Sequence, residues 1–61
     1  MTKVYIAVMN YNSGTIELHE PMMPKNYNDD FILEWFESKG YKDSECYYMV
    51  SEQPINVIRN I

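Results

Sequence analysis

The sequence has few of the residues that cross-link small domains. It contains one cysteine, Cys46, so no disulfide forms within the chain, and one histidine, His19, so no group of cysteines and histidines has zinc-ligand spacing. A chain of 61 residues buries only about 60% of its unfolded surface and often depends on a disulfide, a metal or a partner subunit. With a disulfide excluded and a structural metal disfavoured, we expect a well-packed core or an oligomer.

Long apolar runs and basic residues are also scarce. No stretch approaches the roughly 18 apolar residues of a membrane span, and the segment MTKVYIAVMN lacks the cleavage pattern of a signal peptide. We therefore expect a cytoplasmic protein, in the host cytoplasm if a phage encodes it, with no membrane partner. The net charge of −4 is opposite in sign to that of a duplex-binding domain, so we expect no direct binding of nucleic acid.

The acidic residues are concentrated in one part of the sequence. Residues 28–52 hold seven acids against two lysines, a balance of −5, whereas residues 1–27 balance to zero. We predict an acidic face in this region. Its members are Asp29, Asp30, Glu34, Glu37, Asp43 and Glu45.

The first half of the chain predicts a β-hairpin. Residues 2–11 are β-branched and aromatic, and they are apolar on both faces of the predicted strand. Asn12-Ser13-Gly14 predicts a tight turn, because asparagine and glycine tolerate left-handed dihedrals. One strand face would carry Val4, Ile6 and Val8, and the other Tyr5, Ala7, Met9 and Tyr11.

The second strand of this hairpin is predicted over residues 15–20. Apolar and polar side chains alternate there, so we expect Ile16 and Leu18 to point inward and the polar residues outward. Pro21 ends the strand because it has no amide to donate to a ladder. We expect Pro21–Pro24 to be an irregular connector, with Met22-Met23 either closing the end of the core or forming an exposed anchor.

The helix signals are stronger. Asn28, or alternatively Asn26, suits the N-cap position, and Gly40 suits the position just past a helix end, which predicts a helix over residues 29–39. The stretch FILEWF, residues 31–36, gives this helix an apolar arc of roughly 200°, wider than the ~100° stripe that one sheet covers.

A third strand and an ambiguous tail follow. CYYMVS, residues 46–51, predicts a strand without a polar face, and the remaining residues fit a short strand, a helical turn or an ordered coil. The sequence therefore predicts one domain over residues 1–61 of the α+β class. Its order is ββαβ(β), with a three- or four-stranded, mainly antiparallel sheet and one helix packed on one face.

This architecture leaves apolar surface uncovered on the second sheet face and on part of the helix. Exposed apolar patches larger than a few hundred Å² are rare on monomers, so we expect a homodimer and a protein partner. Tyrosine is favoured at protein interfaces, and the basic groove that accompanies base stacking is missing. The predicted interface residues are Tyr5, Met9, Phe31, Leu33, Trp35, Tyr47 and Met49.

We find no residues arranged for catalysis and expect neither an enzyme nor a cofactor. Glu17 and His19 share a strand face, but no further histidine completes a metal site, so we interpret them as surface residues. Cys46 has no sequential base and fits a buried small residue. The adjacent carboxylates Asp29 and Asp30 complement the helix dipole. Glycine-rich phosphate loops and nucleophile elbows are absent.

Two resemblances indicate the class of function. In outline the chain resembles the short acidic phage inhibitors of uracil-DNA glycosylase, which are dimers with a similar ββαβ order; the likeness is architectural, so no functional residue is carried over. The phrases WFESKGYKDSECYYMVS and YNSGTIEL are similar to those of uncharacterised small proteins of phages and mobile elements. The resemblance implies counter-defence, such as inhibition of a CRISPR nuclease.

The sequence therefore predicts a small acidic protein-binding module, an inhibitor or regulator that occupies a partner's surface. One alternative is a nucleic-acid mimic that blocks a DNA- or RNA-handling enzyme through the acidic face. Another is a small-ligand binder with its site at a subunit interface.

Overall fold

The computed structural model describes residues 1–60 and contains one helix and five strands in two antiparallel sheets, so the predicted α+β class is confirmed. The elements are β1 (Thr2–Lys3), β2 (Tyr5–Asn10), β3 (Thr15–His19), β4 (Met22–Met23), α1 (Asp29–Ser38) and β5 (Cys46–Ser51).

Strand β2 lies at the centre of a three-stranded sheet of order β3-β2-β5, and β1 pairs with β4 in a separate short ladder. Thr2 lies opposite Met23 in the short ladder, and Ile6 lies opposite His19 in the longer one. The residue numbers of each pair add up to the same value, so the two ladders share one register and belong to one long hairpin. Between them, the Val4 amide donates to the Pro21 carbonyl at 3.0 Å, but Pro21 has no amide to return the bond. Pro21 thus ends β3, as expected, and pairing resumes directly after it. The expected irregular connector therefore contains the short strand β4.

A four-residue turn joins β2 to β3. The Asn10 side chain accepts from the backbone amides of Asn12 and Ser13, both at 3.0 Å, and Gly14 has φ +71°, a region that glycine enters without steric cost. This turn places Asn10 opposite Thr15 and thereby sets the register of the hairpin.

The helix begins and ends on the predicted signals. The Asn28 side chain accepts from the amides of Asp30 and Phe31 at 3.1 and 3.3 Å, which satisfies two amides that have no partner within the helix. Gly40 follows the C-cap with φ +81°, and its amide donates to the Glu37 carbonyl at 3.0 Å. Helix α1 ends at Ser38, one residue before the predicted end.

The core lies between α1 and one face of the sheet. Phe36 and Ile32 of the helix pack there with side chains from β2, β4 and β5 and with Val4, which lies between β1 and β2. The half-buried Tyr27, Trp35 and Tyr41 flank this core. Met23 closes one end of this core, while Met22 is 53% exposed. Cys46 is buried, as expected. The other core residues are Val4 and the strand residues Ile6, Val8, Met23 and Cys46.

The prediction of which β3 side chains point toward the core is wrong. The register places Leu18 opposite Ala7 and Ile16 opposite Met9, and opposed residues of an antiparallel pair point to the same side. Because the helix covers the side of Ile6 and Val8, Ile16 and Leu18 lie on the other side, where they are 59% and 52% exposed. Their polar neighbours in β3 point toward the helix layer instead.

The tail contains no helix or strand over residues 52–60, so the terminal strand does not form in the part that the structure describes, and Ile61 lies outside it. The Tyr27 hydroxyl donates to Glu52 at 3.2 Å and ties the start of the tail to the loop before α1. Of the alternatives that the sequence left open, an ordered coil is the observed one.

Candidate functional site

The sheet surface opposite α1 is the most distinctive surface of the molecule. It is formed by alternate residues of β2, β3 and β5, and every charged residue in these strands points to the other side. We refer to it as the open face. Its apolar members are Tyr5, Ala7, Met9, Ile16, Leu18, Tyr47 and Met49.

Most of the open face is accessible to solvent. Ala7 is buried at its centre and Tyr5 is half-buried, but the surrounding side chains are 43–68% exposed. The exposed members are Met9, Ile16, Leu18, Tyr47 and Met49.

The open face brings together four of the seven predicted interface residues and adds two that sequence reasoning missed. Tyr5, Met9, Tyr47 and Met49 lie on this surface as the strand alternation indicated. Ile16 and Leu18 were missed because they were expected to point inward. The signal that could have found them is the turn length, since a pairing of Asn10 with Thr15 fixes which side each β3 residue takes.

The tail lies along one side of the open face. A concavity of ≈ 210 Å³ separates the two, smaller than the roughly 300–1,000 Å³ of typical ligand pockets. Val57, which lines this concavity, is 59% exposed, and Ile58 after it is 81% exposed. The concavity is lined by Ala7, Met9, Ile16, Leu18, Met49, Ile55, Asn56 and Val57.

The other three predicted interface residues lie on α1, in the opposite layer. Phe31 and Leu33 are each 40% exposed. Trp35 is half-buried, with its ring 5.0 Å from the His19 ring in an edge-on arrangement and 5.9 Å from the Lys39 ammonium. The seven residues therefore form two separate surfaces. The open face is the larger, and the Lys3–Glu20 ion pair lies at its border, where Glu20 shares a concavity with Tyr5 and Leu18.

The predicted acidic residues are accessible to solvent. Five of the six are exposed and Glu45 is half-buried. Among residues 1–60, Lys3 forms an ion pair with Glu20 at 3.3 Å and His19 Nε2 lies 3.1 Å from Glu17 Oε1, and neither contact involves the six acids. Their negative charge is therefore not neutralised by ion pairs with the described residues.

A polar cluster lies on the helix side of the sheet, where Tyr41 meets β3. The Tyr41 hydroxyl is 2.5 Å from Glu17 Oε1 and 2.8 Å from His19 Nε2. Burial and the neighbouring carboxylate raise the pKa of Tyr41 to about 12, and the hydrogen bond from Tyr41 followed by the one from His19 lowers the pKa of Glu17. Glu17 and His19, interpreted as surface residues, thus anchor the loop after α1 to strand β3.

These hydrogen bonds connect residues that are far apart in the sequence and thereby support the fold. The cluster contains no serine or cysteine, and Cys46 is buried in the core. Sequence reasoning missed Tyr41 because it is 22 and 24 residues away from His19 and Glu17, and no local pattern connects them.

Three further observations bear on the class of protein. In the described chain, no group of three or more His, Cys, Asp and Glu residues could hold a metal ion. Over residues 1–60, no helix has both the length and the apolar character needed to cross a membrane. In comparisons with known proteins, no family model, curated protein or solved structure matches the chain.

Proposed function

We propose that this chain is a protein-binding module, an inhibitor or regulator that occupies a partner protein through its open face. The observation that carries the proposal is the concentration of five exposed apolar side chains on one uncharged sheet surface. Contiguous apolar patches on small domains are typical of interaction sites, because exposing them to water is unfavourable.

The composition of the open face supports a protein partner. Tyrosine and methionine are enriched at protein interfaces, where tyrosine offers rigid area and methionine adapts to irregular pockets. Tyr47 is the most exposed member, at 68%, and its ring lies 5.8 Å from that of Tyr11, which is itself 60% exposed. Two adjacent aromatic rings at one end of the open face are suited to act as the anchor of such an interface.

A pair of matched variants tests the proposal. Leu18→Lys places a charge on the open face, and Leu33→Lys makes the same change on α1 in the opposite layer; the two leucines are 52% and 40% exposed. Immobilised wild-type and variant chains are used to capture proteins from a lysate of the organism that encodes the chain. We expect a protein that the wild type and Leu33→Lys retain and Leu18→Lys loses.

Circular dichroism and urea unfolding establish that both variants fold. Equal retention of the same protein by Leu18→Lys and the wild type would show that the open face is not the binding surface. Loss of the protein by Leu33→Lys alone would assign binding to the helix layer.

The acidic face supports a second candidate function, a nucleic-acid mimic. Asp30, Glu34 and Glu37 recur at spacings of four and three along α1, which places them on one side of the helix. No ion pair with a described residue neutralises them, so they remain available to a basic groove.

Ionic strength separates the two candidates. Binding through the acidic face weakens steeply as salt is added, because exposed charges are screened. Binding through the open face changes little. A titration of the captured partner at low and high salt, repeated with Glu34→Gln and Leu18→Lys, identifies the surface in use.

A further inference from the structure

Strand β5 is an edge of the three-stranded sheet, and its outward backbone groups can be located from one hydrogen bond. The Tyr11 amide donates to the Glu45 carbonyl at 3.1 Å, and these residues are in the same register as the β2–β5 pairs. In an antiparallel ladder, hydrogen-bonded pairs alternate with non-bonded pairs. The β5 residues bonded to β2 are therefore Tyr47, Met49 and Ser51.

The amides and carbonyls of Tyr48 and Val50 consequently point away from β2. The β2–β3 ladder agrees with this assignment. The Val4 amide donates to the Pro21 carbonyl at 3.0 Å, so the even-numbered residues of β2 bond toward β3 and its odd-numbered residues bond toward β5. Among the described residues, no strand pairs with this side of β5. The edge therefore offers two residues with both backbone groups unpaired by another strand.

Nothing in β5 protects this edge against pairing. Edge strands of soluble proteins are usually blunted by lysine, by proline, by a bulge or by inward-pointing charge. The sequence of β5, CYYMVS, contains no charged residue and no proline. The opposite edge differs, since β3 carries Glu17 and His19.

We propose that β5 pairs antiparallel with β5 of a second copy of this chain, about a twofold axis through Met49, to form a continuous six-stranded sheet. In this register Tyr48 of each copy lies opposite Val50 of the other. The unpaired amides and carbonyls of both residues then bond to each other across the axis, giving about four backbone hydrogen bonds.

The side chains in this register are complementary, which favours a second copy as the occupant of the edge. Tyr48 and Val50 form aromatic–β-branched pairs on the helix side, a favourable cross-strand combination. The acids that flank the strand do not oppose each other, because Glu52 falls opposite Cys46 and Glu45 opposite Gln53. The pairing therefore brings no like charges together across the ladder.

The pairing also enlarges the open face. Three strands about 4.8 Å apart and six residues long at about 3.3 Å each give a projected area of roughly 300 Å². A standard protein interface takes about 800 Å² of accessible surface from each partner. Two open faces side by side on one sheet double the area available to a partner.

The test uses the full chain made by chemical synthesis, since 61 residues are accessible to peptide ligation. N-methylation of Tyr48 removes an outward amide proton and leaves the β2–β5 bonds in place. A chain N-methylated at Asn56, in the tail, is the matched control. Sedimentation equilibrium at micromolar concentrations measures the mass of each, and circular dichroism confirms the fold.

We expect the wild type and the Asn56 control to have twice the monomer mass of 7.3 kDa. N-methylation of Tyr48 removes a hydrogen bond from each copy, and the dimer should weaken by about tenfold or more. Val50→Lys places a charge on the edge and should weaken the dimer in the same way. This variant replaces the N-methylated chain if that chain misfolds. Leu18→Lys should leave the dimer intact.

A monomeric wild type overturns the proposal, and so does an N-methylated Tyr48 chain that folds and dimerises as tightly as the control. Loss of the dimer in Leu18→Lys with retention in Val50→Lys would assign self-association to the open face instead. Each of these results is independent of partner capture through the open face, so failure of this inference is distinguishable from failure of the proposed function.

Discussion

The Tyr41 hydroxyl connects the loop after the helix to strand β3 through Glu17 and His19, and its ring stacks on Phe36 with centroids 5.1 Å apart. Tyr41→Phe keeps the ring and removes the hydroxyl. We expect the free energy of unfolding to fall by about 1 kcal/mol, the usual net value of a hydrogen bond. Urea unfolding measures the change, and Tyr47→Phe, at a position 68% exposed, is the control for loss of a hydroxyl elsewhere.

The raised pKa of Tyr41 also predicts an alkaline dependence of stability. The pKa of this phenol is about 10 in the unfolded chain and about 12 in the folded one, so the folded state holds the proton more tightly. Its contribution to stability is therefore complete below pH 10 and is lost as the pH rises from 10 to 12. We expect the wild type to lose more stability than Tyr41→Phe over this interval in unfolding measured at several pH values; equal losses would contradict the assignment.

Asn28 is a second residue whose role can be measured. Its side chain satisfies the amides of Asp30 and Phe31, and alanine at an N-cap costs about 1 kcal/mol. We expect that loss for Asn28→Ala in urea unfolding and a much smaller one for Asn28→Ser, which retains an acceptor. Equal losses for the two variants would show that the cap bonds do not stabilise the helix.

At the scale of the element, neighbouring positions on α1 differ sharply in their surroundings. Ile32 is 4% exposed against the sheet and Leu33 is 40% exposed. Ile32→Ala removes buried apolar volume and should cost about 2–5 kcal/mol, whereas Leu33→Ala should cost well under half of that. Thermal unfolding followed by circular dichroism compares them, and similar losses would mean that the helix packs on a different face.

How far the sequence predicts these elements depends on where their determinants lie. The helix and β5 were predicted to within one residue because Asn28, Gly40 and the alternation in CYYMVS are local signals. The side of the sheet to which the β3 side chains point was not predicted correctly. The four-residue turn decides it, and an alternating pattern is compatible with either side. The tail was ambiguous for another reason: Ile55 and Val57 are β-branched, but no neighbouring strand of residues 1–60 pairs with them.

The residues of the candidate site divide in the same way, into those that a local pattern predicts and those that only the folded chain brings together. Tyr47 and Met49 could be placed on the uncovered face from alternation in one strand. The Glu17–His19–Tyr41 cluster could not, because it joins segments that only the folded chain brings together.

At the scale of the whole molecule, net charge governs how copies approach each other. Each copy carries −4, so two copies repel, while the β5 edge itself holds no charge. Salt screens the repulsion, and we expect the dimer to become tighter as salt is added. Sedimentation equilibrium at low and high ionic strength measures this. A dimer that weakens with salt would indicate contacts between opposite charges and would contradict pairing through β5.

The reversed facing of β3 has a consequence for how the chain reaches its native state. A slip of the hairpin by one residue would bury Ile16 and Leu18 under the helix and turn Glu17 and His19 to solvent, which is the arrangement that hydrophobicity alone would select. The hairpin thus has a more apolar competing register, and the native turn rejects it, because the Asn10 side chain bonds to the amides of Asn12 and Ser13 and Asn10 lies opposite Thr15. A change in the length of this turn, rather than a change in any core residue, is therefore what would exchange the two faces of β3.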